Sequence, residues 1–298
     1  TWTKITLTGI INNVKEVINN YLITNDNNLY VCGSNYYGQL GLGDTNNRNT
    51  WTKIDIEGIN NNVKEIIINN SSYLITNDNN LYVCGDNGYG QLGVGSATNV
   101  LTWTKIDIEG INNNVKEVIT INNSSYLITL DNNLYVCGYN NYGQLGVGNT
   151  PTINTWTKIT LTGIINNVKE VINNNSSYLI TLDNNLYVCG YNRYGRLGLG
   201  DTTNVLTWTK IDIEGINNNV KEVITNNSSY LITNDDNLYV CGSNYFGQLG
   251  VGNTTNVLTW TKIDIEGIVD NAKEVITDGY SSYLITLDNN LYVCGHNG

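Results

Sequence analysis

The chain has 298 residues, a net charge of −11 and 40% hydrophobic residues, enough for a substantial core. So acidic a balance, with only 15 lysines and arginines, argues against binding of nucleic-acid phosphates. No run of 18 apolar residues is present, so no membrane-spanning helix is expected, and no leader peptide is visible.

Charged residues are only 14% of the chain, and asparagine fills the gap, in runs such as Asn112-Asn113-Asn114 and Asn173-Asn174-Asn175. These alternate with Val-, Ile- and Tyr-rich segments and read as loops of a folded protein. There is no methionine, so segments flanking the chain are expected in its translation product.

The elements recur in a fixed order. Trp-Thr-Lys-Ile begins at Trp2, Trp51, Trp103, Trp156, Trp208 and Trp260, at spacings of 49, 52, 53, 52 and 52. Tyr-Val-Cys-Gly begins at Tyr30, Tyr82, Tyr135, Tyr187, Tyr239 and Tyr292. The first interval is short because Asn19-Asn20-Tyr21 lacks the insertion present at Ser71-Ser72. The third repeat predicts strands at 115–120, 125–129, 134–138 and 155–160, rich in Val, Ile, Tyr and Thr. Between them come Asn-Asn-Ser-Ser, then Asp131-Asn132-Asn133, then a Gly-rich stretch from Tyr142 to Gly148. The single proline, Pro151, sits in the longest loop.

A unit of four strands and about 52 residues is the size of a propeller blade, whereas solenoid rungs are shorter. Such a sheet cannot bury both faces alone and must pack against its neighbours. The motif Leu-Tyr-Val-Cys-Gly-x-Asn-x-Tyr-Gly-Gln-Leu-Gly-x-Gly stands at Leu29–Gly43, Leu81–Gly95, Leu134–Gly148, Leu186–Gly200 and Leu238–Gly252. It resembles the repeat of the regulator of chromosome condensation family. Where that family has a Gly-x-x-His step, most repeats here read Asn-Asn-Ser-Ser, and cysteine stands where the family has tryptophan.

The repeat reads as an all-β fold: a single domain over 1–298, a six-bladed β-propeller of four-stranded antiparallel blades, the count of six following from six copies of each strand although the family more often has seven. The resemblance implies a clasp, in which Trp2–Leu7 supplies the outer strand of the last blade and closes the ring. The alternative is a trimmed seven-bladed propeller, because the last repeat stops at Gly298 before its Tyr-Gly-Gln-Leu-Gly.

Several residue sets invite a chemical reading. Cys32, Cys84, Cys137, Cys189, Cys241 and Cys294 fall one per repeat at one strand position, too far apart for disulfides, and read as free packing thiols in a reducing compartment. The six tryptophans read as outer-strand packing. Asp-Ile-Glu-Gly at Asp55, Asp107, Asp212 and Asp264 would set two carboxylates on one face of a strand and reads as a solvated acidic edge. Lys-Glu pairs from Lys15-Glu16 to Lys273-Glu274 would line the axis and compensate each other. His296 is the only histidine, which excludes a triad or a multi-histidine metal site. Asn-x-Ser sequons such as Asn70-Ser71-Ser72 would matter only in a secreted protein. The informative break in the repeat is Arg193 and Arg196, which turn one loop into Tyr194-Gly195-Arg196-Leu197-Gly198. Two arginines in one loop of an acidic protein mark a candidate partner contact.

The expected function is a non-catalytic protein-interaction scaffold with no cofactor and no metal, monomeric, with a protein partner and no nucleic acid or membrane. Nothing in the chain assembles a nucleophile, a base and an oxyanion site. The family resemblance implies an alternative, nucleotide exchange on a small GTPase. Those family members use an inserted β-wedge, and the even spacing here leaves no insertion. Asn, Ile, Lys and Tyr share AT-rich codons, and the composition resembles repeat proteins of large amoeba-infecting DNA viruses or of amoebae. On that reading the partner is a host protein or another copy. The localisation is intracellular: cytoplasm, nucleus, or a virion.

Overall fold

The computed structural model describes residues 3–296, which are all-β apart from one 3-10 turn at Arg193–Gly195. In the second repeat the strands are Val63–Ile68, Ser71–Thr76, Leu81–Gly85 and Val100–Lys105, paired antiparallel in chain order. Tyr73 faces Val83, and Val83 faces Thr104. The same meander forms four-stranded sheets over 14–53, 63–105, 115–158, 168–210 and 220–262, and a three-stranded one over 272–295. Together these sheets make a β-propeller fold.

The asparagines have a backbone reason. At the tip between the second and third strands, Asn79 adopts φ 57° while the Thr76 hydroxyl accepts from the Asn80 amide at 2.9 Å. Asn and Asp tolerate left-handed backbone better than other side chains with a Cβ. Among the described residues every non-glycine position with positive φ is Asn or Asp, with one exception, Tyr194.

Contacts divide the chain into two compact units, residues up to 139 with 152–158, and residues 140–151 with 159 onward. In the first unit, Ile23, Leu29 and Val31 of the first sheet pack on Ile59, just before the second sheet, and on Val63 and Leu74 within it, all buried. One carbonyl gathers the donors at that junction. Gln39 O accepts from the Tyr21 hydroxyl of its own repeat and from Ser72 Oγ (3.0 Å) and Cys84 Sγ (3.2 Å) of the next. Gln91 O, one repeat on, accepts from Tyr73 (2.8 Å) and Cys137 (3.2 Å). The second unit repeats the device. Arg196 O accepts from Tyr178 (2.7 Å) and Cys241 (3.2 Å), and Gln248 O from Tyr230 (3.0 Å) and Cys294 (3.1 Å). The six thiols are free, as the spacing suggests, and burial pushes those of Cys84, Cys137, Cys189 and Cys241 well up. Four of the tryptophans serve packing. Trp103 lies against Gly41, Trp156 against Gly93, Trp208 against Gly146 and Trp260 against Gly198.

The clasp does not form among the described residues. Trp2 lies outside them, residues 3–7 make no strand, and the last sheet keeps three strands. Instead Lys4–Leu7 line a hollow on the first sheet with Cys32 and Trp51, and Ile10 is buried against Leu22 and Tyr30. That burial holds the N-terminal segment to its own repeat. On the first sheet Val17 is 54% exposed where its counterpart Ile66 is 4%; on the last sheet Val293 is 65% exposed where Val83 is 0%.

Candidate functional site

The loop that follows the third strand is built the same way in the four repeats that carry glutamine there. In the second, Asn87 is buried, donates from Nδ2 to Ser96 O at 2.8 Å, and accepts from the Leu92 amide at 2.9 Å. Gln91 then accepts from the Tyr89 amide through Oε1 at 2.9 Å, and Gln144 and Gln248 do the same for Tyr142 and Phe246 at 3.0 Å. This scaffold leaves the residue before the motif's aromatic free to vary, as Tyr36, Gly88, Asn141, Arg193 and Tyr245.

In the fourth repeat Arg196 replaces that glutamine. A guanidinium has no acceptor, so the Tyr194 amide loses the partner that its counterparts keep. Tyr194 takes φ 67°, and the loop tightens into the 3-10 turn. The Arg196 side chain turns inward and is only 4% exposed. Its Nε donates to Arg193 O at 3.2 Å, Nη1 to Asn226 O at 3.0 Å and Nη2 to Asn227 Oδ1 at 3.1 Å. Its guanidinium carbon lies 5.1 Å from the Tyr191 ring centroid, and that of Arg193, an exposed residue, lies 4.7 Å from the Tyr194 ring. Burial pulls the Arg196 guanidinium below its usual range. Both arginines line one polar hollow with Asn174, Asn175, Asn226 and Asn227. The structure therefore brings together the two residues that break the repeat.

Around them runs a belt of aromatic rings that the sequence reading did not single out. Tyr142 lies 4.7 Å from Tyr191, Tyr194 lies 5.5 Å from Tyr245, and Phe246 lies 5.4 Å from Tyr280 and 5.2 Å from His296. Tyr245, Phe246 and Tyr280 are 59%, 42% and 55% exposed. The signal lay in the variable positions beside the glycine motif, where Tyr36, Tyr139, Tyr191 and Tyr245 stand.

The other candidate sets do not converge. Asp55, Asp107 and Asp212 lie past the ends of their fourth strands rather than inside them, and each carboxylate accepts from the Asn five residues on. The first-strand lysines donate to their own repeat's turn rather than to the adjacent glutamates. Lys64 reaches Asn79 at 3.0 Å, and Lys221 forms an ion pair with Asp236 at 2.7 Å. Among the described residues no three of His, Cys, Asp and Glu group as a metal site. No helix among the described residues is long and apolar enough to cross a membrane.

A meander of four strands repeated with a glycine-anchored loop defines a β-propeller that presents its variable side chains on those loops. Residues 26–67 match the Regulator of chromosome condensation (RCC1) repeat. The chain is 28% identical over 271 residues to the Ultraviolet-B receptor UVR8 of Arabidopsis thaliana, over 90% of this chain and 60% of that protein. It is 32% identical over 143 residues to the X-linked retinitis pigmentosa GTPase regulator of Homo sapiens, over 48% of this chain and 14% of that protein. The chain thus spans less than two thirds of either relative. The crystal structure of human WBSCR16 shares the fold, with a TM-score of 0.65 at 17% identity, over 92% of this chain and 74% of that one.

Proposed function

We propose that the chain is a non-catalytic, regulatory protein-interaction module that binds its partner through the loops carrying Arg193, Arg196 and the aromatic belt. The observation that supports this reading is the set of exposed rings Tyr245, packed on Tyr194, and Phe246, packed on Tyr280, beside two arginines, on a protein of net charge −11. Aromatic residues and arginine are the types enriched at the energetic centres of protein interfaces. On this reading the chain is a monomer without cofactor, its partner is a protein rather than nucleic acid or membrane, and its free thiols suit a reducing, intracellular compartment.

The test is affinity capture with the wild type, with Arg193→Ala plus Arg196→Ala, and with Tyr245→Ala plus Phe246→Ala, the retained protein being identified by mass spectrometry. Each double variant is expected to lose a shared partner at least tenfold. Equal retention by all three would remove the loops from the interface. A second reading, regulation of a small GTPase, is favoured by the relative named as a GTPase regulator. A nucleotide-release assay against a GTPase panel separates the two, since catalytic acceleration of release would replace the scaffold reading.

A further inference from the structure

Arg196 is the one buried cation among the described residues. The described ion pairs join Arg48 to Asp44 and Lys221 to Asp236, and neither Arg193 nor Arg196 takes part in one. Arg196 is buried, yet its three hydrogen-bond acceptors are two backbone carbonyls and an amide oxygen, all neutral. A guanidinium carries five N–H donors in a planar fork. Three are engaged, which leaves one on each terminal nitrogen. A buried charge without a counter-ion is costly, and the cost is offset when an anion supplies charge-assisted hydrogen bonds.

We propose that the hollow between Arg193 and Arg196 receives a single carboxylate, the Asp or Glu side chain of the protein partner, held by the free edge of the Arg196 fork and by Arg193. This rests on the reading of these loops as a protein-binding surface and names the chemistry the partner presents there. A lone carboxylate fits better than a polyanion. The hollow offers two positive charges, the rest of the protein has 26 acidic residues that repel a chain of phosphates, and the flanking surface is aromatic rather than basic. The acid is therefore expected next to apolar or aromatic residues, which would rest on Tyr245 and Phe246.

The experiment uses the whole chain and the peptide acetyl-Phe-Asp-Phe-amide, with its Asn counterpart and inorganic phosphate as separate arms. Binding is followed by NMR on the Arg196 Nε–Hε resonance and by titration calorimetry. Arg196→Gln is the matching variant, and it restores the residue that four other repeats carry at this position, so its folding is not in question. The Asp peptide is expected to shift the Arg196 resonance saturably, to bind at least tenfold tighter than the Asn peptide, and to lose at least tenfold on Arg196→Gln. Equal binding of the Asp and Asn peptides, or unchanged Asp binding by Arg196→Gln, overturns the carboxylate assignment. Displacement of the Asp peptide by equimolar phosphate also overturns it, in favour of a phosphate site. Partner capture that persists in Arg196→Gln while the peptide arms fail would sink this assignment alone and leave the interaction module standing.

Discussion

Tyr194 and Arg196 are coupled through a hydrogen bond that their own repeat lacks. In four other repeats the side-chain oxygen of the glutamine at the Arg196 position accepts from the amide two residues earlier, at 2.9–3.0 Å, and that earlier residue keeps ordinary backbone angles. With arginine in place, Tyr194 alone among the described non-Asn, non-Asp side chains sits at positive φ. A left-handed conformation costs an L-residue about 1–2 kcal/mol, and burying an unneutralised guanidinium adds to it. Arg196→Gln is therefore expected to stabilise the protein by roughly 1–2 kcal/mol, or about 3 °C in melting temperature, read by thermal unfolding. A variant no more stable than the wild type would mean that the loop carries no strain. Strain kept at one loop of an otherwise regular array is the usual mark of function held against stability.

The junction carbonyls make a second expectation. Tyr73 is fully buried and its hydroxyl donates to Gln91 O at 2.8 Å, with Ser125 Oγ of the next repeat 2.9 Å away. Tyr73→Phe leaves the ring packing and removes only the hydroxyl, at an expected cost of about 1–2 kcal/mol. Ser125→Ala should cost about 1 kcal/mol, and the double variant less than the sum, because the two hydroxyls are hydrogen-bonded to each other. Chemical denaturation of the four proteins measures the cycle, and strict additivity would show that the two hydroxyls act separately.

Much of this architecture was legible from period and composition, because each repeat restates it. The third strand fell at Leu134–Gly138 as its apolar run predicts. The fourth runs Ile153–Lys158 rather than 155–160, since Gly138 pairs with Ile153 and Ile159 leaves the strand for the core. The break at Arg193 and Arg196 was visible as a departure from the repeat, but that Arg196 is the buried one was not. Burial there follows from Asn226 and Asn227, thirty residues away in the chain. The belt was missed because Tyr142, Tyr194 and Phe246 stand at the motif's repeated aromatic position and read as repeat, while Tyr191, Tyr245 and Tyr280 stand at positions that vary between repeats, where periodicity carries no signal. The N-terminal clasp failed for a related reason: strand propensity in 3–7 does not decide which sheet takes the segment, and Ile10 packing on Leu22 and Tyr30 does.

Gly41 tests the seating of the outer-strand tryptophans. It sits at φ 69°, and a Cβ there would run into the indole ring of Trp103. Gly252 has φ 79° with nothing within 4 Å of the same virtual atom. Both alanine variants bear the left-handed penalty of roughly 1 kcal/mol, but only Gly41→Ala also displaces a packed ring, which adds about 1–3 kcal/mol. The expected order in denaturant midpoint is wild type, Gly252→Ala, then Gly41→Ala well below. Equal losses would mean that Trp103 yields without cost.

The turn aspartates set the acid behaviour. The Thr129 hydroxyl donates to Asp131 at 2.5 Å, helped by Asn114 (2.9 Å) and Asn133 (2.8 Å), and holds the carboxyl below its usual range. Thr181 does the same for Asp183, with Asn167 at 2.8 Å. A carboxyl whose folded value is depressed contributes stability that is fully present above the unfolded value of about 3.9 and is lost as pH falls through the depressed folded value. These carboxylates are largely exposed, so each contribution is small and weakened by salt. The sharper measurement is site-resolved titration of the side-chain carboxyl carbons by NMR. Asp131 and Asp183 are both expected to titrate below about 3.9. Thr129→Val should move Asp131 up toward that value and leave Asp183 where it was. An Asp131 midpoint that starts at the ordinary value, or does not move on Thr129→Val, would show that the hydroxyl does not hold the charge.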